Sequence, residues 1–178
     1  MAVVGGSVWL FGTDDYMQIA DNALVDFSDT QSFTVLAITR LHSTIVVNTR
    51  LVDKMDSSAL NGWGLFLDAT PRAQATMNGT SYLATPTSGT ITLGSMNILG
   101  MQRDASAPNL RGLLNTTLGT ASTVTRPDVS NAQTVRIGID RGGSNALAGE
   151  VAAVAIFRRV LTAAELSAIV SYYQARYV

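Results

Sequence analysis

Cysteine is absent from this sequence of 178 residues, and lysine and histidine occur once each, as Lys54 and His42. Without cysteine there is no disulfide, no thiol nucleophile and no zinc–thiolate site. A Ser-His-Asp arrangement would have to use His42, which we interpret as a loop or edge residue at a strand end. No phosphate loop or dinucleotide fingerprint occurs either. These absences exclude most of the common catalytic classes.

Charged side chains are also scarce. They make up 14% of the sequence, against about 25% in an average soluble domain, and the net charge is -1. Nucleic-acid binding usually shows a basic patch, so we expect no nucleic-acid partner. No apolar run approaches the roughly 20 residues of a membrane helix, and residues 1–10 have no secretion signal. We therefore expect no membrane insertion, and synthesis in the cytoplasm.

Short β-type segments separated by turn residues extend from about residue 3 to residue 158, a pattern typical of a sandwich or barrel. The strongest, Ser32–Leu41, places Phe33, Val35 and Ala37 on one face and mostly apolar residues on the other. A strand that is apolar on both faces is expected at the centre of a sheet. The other predicted strands are 7–11, 16–20, 44–52, 62–67, 74–77, 81–84, 90–93, 96–103, 109–115, 120–125, 134–139 and 150–158.

The last residues change to a helical period. Thr162 and Glu165 have the spacing of a capping box, which predicts a helix start. Apolar residues then recur at helical spacing, and they predict one amphipathic helix over about 163–176 that packs on the sandwich. Tyr172 falls off this apolar stripe, so we expect it to face outward. With no repeat and no linker, residues 1–178 are predicted to form a single domain.

Several segments resemble one known family. Phe11–Tyr16 is similar to its opening "FDGxxDY", and Gly149–Leu166 to its closing "GxIxxVrIynRxLsxxEI". Ser32–Val35, Val52–Lys54 and Gly62–Leu65 resemble its "FTVxxW", "ivsK" and "GYxL" stretches. The family is the laminin-G-like, or concanavalin-A-like, jelly roll. The resemblance implies an all-β, two-sheet antiparallel jelly-roll sandwich, here with one C-terminal α-helix. Because two family tryptophan positions are not matched, the family's ligand sites are not carried over.

Glucanases of this fold use paired glutamates in an E-x-D-x-E strand motif, with the two carboxyls about 5 Å apart in retaining enzymes. This sequence has two glutamates, Glu150 and Glu165. Helix capping explains Glu165, and Ala152 stands where a motif beginning at Glu150 needs an acid. We therefore predict that the domain is not an enzyme.

Calcium is the one cofactor to weigh, because some members of the family hold it at one rim with Asp carboxylates and backbone carbonyls. The resemblance makes Asp14, Asp15 and Asp140 the candidate ligands. The alternative interpretation is that Asp and Asn simply suit turns. No other cofactor is predicted.

Sugar binding needs an exposed aromatic side chain beside a few polar groups. We interpret Trp9 and Trp63 as core residues, because each lies on a predicted strand. Tyr82, next to a predicted hairpin turn, is the better exposed candidate, and Asp140 and Asn145 supply polar groups on a loop.

Two functions fit this sequence. The first is a non-catalytic capsid decoration subunit on the virion surface of a tailed phage, since small jelly rolls without cysteine that resemble laminin-G domains occur there. Its partners would be capsid or other virion proteins and copies of itself. The second is a lectin-like adhesion module that binds cell-surface glycans. An exposed Trp or Tyr beside Asp and Asn on one rim favours the second, and a symmetric oligomer the first. The predicted partner contacts are Met1, Ala2, Val3, Tyr172 and Arg176.

Overall fold

A computed structural model describes residues 9–12, 14–42, 48–56, 61–67, 72–77, 84–86, 91–107, 109–123 and 128–177. These residues form two β-sheets and one helix, α1, which covers Ala163–Arg176. The strands are β1 Trp9–Phe11, β2 Met17–Ile19, β3 Phe33–Leu41, β4 Arg50–Met55, β5 Gly62–Leu67, β6 Ala73–Met77, β7 Ala84–Pro86, β8 Met96–Asp104, β9 Asn109–Leu114, β10 Thr117–Leu118, β11 Ser122–Thr123, β12 Val135–Ile137 and β13 Gly149–Phe157. None of the described helices is long and apolar enough to cross a membrane.

The two sheets are antiparallel and confirm the predicted jelly-roll sandwich. One has seven strands in the order β1-β13-β3-β8-β9-β10, with β11 also paired to β9. The other has six strands in the order β2-β12-β4-β5-β6-β7. The strand predicted to be central, β3, lies between β13 and β8 and is buried on both of its faces.

An aromatic cluster fills part of the core between the sheets. The rings of Phe27 and Phe33 stack with their centroids 4.1 Å apart, and both lie within 6.2 Å of the Trp63 ring. Trp63 is fully buried, as predicted, and its indole Nε1 donates a hydrogen bond to the Val25 carbonyl oxygen at 3.1 Å. A buried indole needs such a partner, because an unpaired polar group in an apolar core is costly. The prediction that Trp9 is a core residue is wrong: Trp9 is 49% exposed, because β1 is an edge strand.

Helix α1 packs on the outer face of the seven-stranded sheet. Leu166 and Val170 of the helix form one buried cluster with Leu36 and Ile38 of β3. The apolar residues on the second face of β3 are therefore covered by the helix. Tyr172 is exposed, as predicted.

The predicted capping box is present at the start of α1. The Glu165 amide donates to Thr162 Oγ1 at 3.3 Å, and the Thr162 amide donates to Glu165 Oε2 at 2.8 Å. We expect Thr162→Ala to lower the free energy of unfolding by about 1 kcal/mol, because the Glu165 amide loses its acceptor, Thr162 Oγ1. Urea unfolding measures this, with Thr162→Ser as the control that keeps the hydroxyl. Equal loss in both variants would contradict the role of the cap.

Some strand bounds differ from prediction where charge interrupts a strand. The run predicted at 44–52 is described from residue 48, and its strand extends to Met55 through Asp53 and Lys54, both buried. Residues 91–93, which were predicted as part of a strand, instead lie in the loop and turn that precede β8. Polar residues inside β4 hid its second half from the hydrophobic pattern.

Candidate functional site

Two charged side chains share the outer face of the six-stranded sheet. In β4, Val52 points into the core, and Asp53, the next residue, points to the opposite face. In β12, Arg136 lies between two core residues in the same way. Arg136 and Asp53 are direct partners in the register of these strands. The fold therefore places one carboxylate and one guanidinium side by side on this face.

A pocket of about 150 Å³ opens beside this pair. Asp53, Arg136 and Arg141 are its charged lining residues, and Met55 and residues 132–134 complete the wall. Arg141 comes from the loop that follows β12, so the loop and two strands build the pocket together. We call these residues the Asp53 pocket.

Asp53 is held in an unfavourable place for a charge. Its side chain is 4% exposed, and Oδ1 accepts no hydrogen bond from the residues that the structure describes. Oδ2 lies 3.9 Å from Nε of Arg50. Burial raises the pKa of Asp53 to about 6, although Arg50 acts in the opposite direction. A carboxylate with a raised pKa that lines a pocket is a candidate binding group.

An exposed aromatic ring lies next to the pocket. The guanidinium carbon of Arg136 is 5.3 Å from the centroid of the Tyr16 ring, and Tyr16 is 47% exposed. Nη1 of Arg136 also donates to the carbonyl oxygens of Asp140 and Arg141, each at 3.1 Å. These contacts fix the guanidinium between the ring and the loop. The site thus offers an apolar face, hydrogen-bond donors and a carboxylate acceptor within one small area.

The family model described as the Concanavalin A-like lectin/glucanases superfamily, of laminin-G type, matches residues 11–167. The chain belongs to this family. No curated protein sequence matches it.

Solved structures share the fold of this lectin/glucanase superfamily member at low identity. A putative carbohydrate binding protein from Bacteroides ovatus matches with a TM-score of 0.70 and 12% identity, over 89% of this chain and 45% of its own. Domain 4 of AbnA, an extracellular arabinanase from Geobacillus stearothermophilus in complex with arabinotriose, gives 0.68 and 13%, over 90% and 75%. The CBM40 of the Ruminococcus gnavus IT-sialidase, bound to α2,3-sialyllactose, gives 0.63 and 12%, over 93% and 99%. This chain spans less than half the length of the Bacteroides structure.

The residues predicted to bind glycan lie partly at this site. Asp140 and Asn145 belong to the loop that supplies Arg141, but the Asp140 carboxylate serves the loop itself. Its Oδ1 accepts from the Ser144 amide and its Oδ2 from Asn145 Nδ2, both at 2.7 Å. The loop therefore presents Arg141 and not a free carboxylate. Tyr82 lies outside the described residues, as do Met1, Ala2 and Val3.

The candidate calcium ligands are not brought together as a metal centre. Asp14 is exposed, and Asp15 Oδ2 accepts a hydrogen bond from the Gly12 amide at 2.9 Å. Within the described ranges, no group of three or more His, Asp or Glu side chains is placed to hold a metal ion. Asp14, Asp15 and Asp140 thus do not form such a group, and calcium binding stays a prediction.

The predicted contacts on the helix lie together at its surface. Arg176 Nη1 donates to the Tyr172 hydroxyl at 3.1 Å, and its guanidinium carbon is 5.8 Å from the Tyr172 ring centroid. Both residues are exposed. Their role as a contact with a partner stays a prediction.

Sequence reasoning missed four residues of the site: Tyr16, Asp53, Arg136 and Arg141. Asp53 and Arg136 carried a signal, since each is a charged residue within a run of strand-forming apolar residues. Such a residue either faces solvent or occupies a specific polar site, and the pattern alone does not distinguish the two. Their pairing comes from the strand order, which the sequence does not state.

Proposed function

We propose that this chain is a non-catalytic, lectin-like carbohydrate-binding module that binds its ligand at the Asp53 pocket. The observation that carries the proposal is the buried Asp53 carboxylate, which lines a pocket with two arginines beside the exposed ring of Tyr16. A small number of fixed polar groups beside an apolar surface is typical of small-molecule sites.

The chemistry of this pocket complements that of a sugar. A sugar hydroxyl would donate a hydrogen bond to the Asp53 carboxylate, which lines the pocket, and hydroxyl and ring oxygens would accept from Arg136 and Arg141. The apolar face of the ring would lie against Tyr16. A volume of about 150 Å³ suits the hydroxylated edge of one sugar residue, with the rest of the glycan outside the pocket.

Binding without hydrolysis is supported by the positions of the two glutamates. Glu150 Oε2 lies 3.1 Å from Arg40 Nη1 in the seven-stranded sheet, and Glu165 Oε1 lies 2.6 Å from Arg159 Nη2 at the start of α1. Each is therefore engaged in its own ion pair, whereas a retaining hydrolase needs two carboxyls that face one bond. Similar modules occur within an arabinanase and a sialidase. We infer that this domain, too, holds a glycan and leaves any chemistry to other domains.

The role as a phage capsid decoration subunit stays a prediction. Light scattering of the purified chain bears on it directly, since a symmetric oligomer would favour that role.

The proposal is tested by a glycan-array screen, run with calcium and with chelator, on the wild type and two variants. We expect specific binding by the wild type. Asp53→Asn should weaken it roughly 10- to 100-fold, because a hydrogen bond to a charged acceptor is lost, and Tyr16→Ala roughly tenfold. The control is Leu24→Ala, which removes a large exposed apolar side chain that does not line the Asp53 pocket and should bind as the wild type does.

Two results would contradict the proposal. One is an array without binding in both conditions. The other is binding that Asp53→Asn and Tyr16→Ala leave unchanged, which would place the site elsewhere. Binding that disappears with chelator would add calcium to the site.

A further inference from the structure

A second pocket lies on the other side of the sandwich, between the end of α1 and the outer face of the seven-stranded sheet. Its volume is about 310 Å³, within the range of pockets that hold small ligands. The sheet contributes Arg40 and Met96, which are partners in the register of β3 and β8. The helix end contributes Gln174 and Tyr177, and the turn before β8 forms the rim.

The guanidinium of Arg40 is fixed and its charge is balanced. Nη1 donates to Glu150 Oε2 at 3.1 Å, and Nη2 donates to the Tyr177 carbonyl oxygen at 2.9 Å. The other oxygen of Glu150 lies 2.9 Å from His42 Nε2. Arg40 Nε is buried and donates no hydrogen bond to any described residue. Because Nε is buried, the donors left for a ligand are the second hydrogens of Nη1 and Nη2, and the paired guanidinium has little net charge to offer an anion.

The rim and the far wall are held in place. Asn97 Nδ2 donates to the carbonyl oxygens of Thr92 and Ser95, at 3.1 and 2.9 Å, which fixes the turn before β8. Gly94 in this turn has a φ of 75°, and nothing else described lies within 4 Å of where its Cβ would be, so the mouth is open. On the far wall the Tyr177 ring stacks on Tyr173, with centroids 6.0 Å apart. The pocket therefore has its shape before any ligand enters.

We propose that this pocket is a second carbohydrate-binding site, which takes one neutral monosaccharide residue. The choice of ligand class rests on the proposed function, and the site itself on the geometry of the pocket. Oxygens of the sugar accept from Arg40, and its hydroxyls exchange hydrogen bonds with the Gln174 amide. The apolar side of the ring lies against Met96 and Tyr177. Glu150 disfavours an anionic sugar, and a purely apolar ligand would leave these polar groups without partners.

The two sites would lie on opposite faces of one domain. A module with two sites can hold two glycan chains, or two branches of one, and gains avidity when both are engaged. A module that binds only the end of one glycan chain needs a single site. The second site therefore predicts a stoichiometry of two sugars per chain.

The test is an NMR titration of the full chain with methyl α-glucoside, methyl α-galactoside, N-acetylglucosamine and, as the anionic probe, glucuronate. We expect at least one neutral sugar to shift the side-chain amide signals of Gln174. Met96→Trp fills the pocket and should weaken this binding at least tenfold. Gln174→Ala, an exposed helix position that tolerates alanine, should weaken it roughly fivefold, and in this variant binding is followed by the backbone amide signals of Gly94 and Ser95 at the rim. The matched control is Leu24→Trp, a tryptophan placed at an exposed position of a loop, which should leave it unchanged.

The variants separate the two sites. Asp53→Asn should leave the response of Gln174 intact, so that failure of the first site would not remove the second. No Gln174 response to any neutral sugar, an equal affinity in Met96→Trp, or a preference for glucuronate would overturn the second site. If no neutral sugar shifts the Gln174 signals but Asp53→Asn still weakens binding on the glycan array, the proposed function stands and this inference alone is overturned.

Discussion

Asp53→Asn is expected to raise the free energy of unfolding at pH 7 by up to about 3 kcal/mol while it weakens glycan binding. The carboxyl of Asp53 has a pKa of 3.8 in its ordinary setting and about 6 in the fold, mainly because burial disfavours its charged form. Raising a pKa by about two corresponds to roughly 3 kcal/mol of free energy against the charged form. Asparagine has the same shape and no charge to bury, so it avoids this cost.

The pH dependence has a defined sign. Because the pKa is raised on folding, the unfolded chain loses the Asp53 proton first as the pH rises. The favourable contribution of the protonated group is complete below about pH 3.8 and is lost as the pH rises through about 6. The wild type and Asp53→Asn should therefore have similar stabilities near pH 4 and differ most above pH 6.

Urea unfolding of both proteins between pH 4 and pH 8 measures this difference. The matched control is Asp104→Asn, at a partly exposed carboxylate whose pKa is lowered by hydrogen bonds from Ser106. That variant should lose a little stability at pH 7 and gain none. An Asp53→Asn variant no more stable than the wild type at pH 7 would show that the fold does not strain this carboxyl.

Lys54→Met is expected to lower the free energy of unfolding by about 3 kcal/mol. Lys54, the one lysine, is fully buried, and its Nζ lies 2.8 Å from Asp26 Oδ1 and 2.9 Å from Asp21 Oδ1. It also donates to the carbonyl oxygen of Asn131. Removing one partner of a buried ion pair costs about 3–5 kcal/mol. We expect the lower end, because the two aspartates are 35% and 26% exposed and keep some contact with water.

The loss should extend to the Asp53 pocket. Lys54 follows Asp53 in β4, and Asn131 immediately precedes residues 132–134 of the pocket wall. Lys54→Met is therefore expected to weaken glycan binding as well as the fold. Arg176→Met is the control, a cation removed from an exposed helix position, and should change stability by less than about 0.5 kcal/mol. A Lys54→Met effect as small as the control's would contradict the role of this ion cluster.

Local features of the fold were predictable from the sequence. The capping box at Thr162 involves residues three apart, and the apolar residues that follow recur at helical spacing. The central position of β3 followed from apolar residues on both of its faces. In each case the deciding interactions lie within one element, or depend only on which of its faces are buried.

The site was not predictable, because its parts meet only through the strand order. Asp53 and Arg136 are distant in sequence and become neighbours because β12 inserts between β2 and β4. Trp9 shows the same limit: its strand was predicted, but its position at a sheet edge depends on pairing with β13. Residue patterns indicate which faces are buried, and do not indicate which strands are adjacent.

Asp53 shows why function can be sought where a fold is strained. A buried carboxylate with a raised pKa lowers stability, and sequences under no functional constraint would tend to replace it. Lys54, its neighbour, is also buried and charged, but its charge is matched by two carboxylates, so it serves the fold. The difference between the two is that Oδ1 of Asp53 has no hydrogen-bond partner among the described residues, whereas Lys54 Nζ is paired with Asp21 and Asp26.

The most direct test of the carbohydrate-binding function is a structure of the protein with a glycan selected on the array. The account predicts a sugar hydroxyl within hydrogen-bond distance of the Asp53 carboxylate, with a ring against Tyr16 and oxygens near Arg136. A glycan bound elsewhere, with the Asp53 pocket empty, would contradict it.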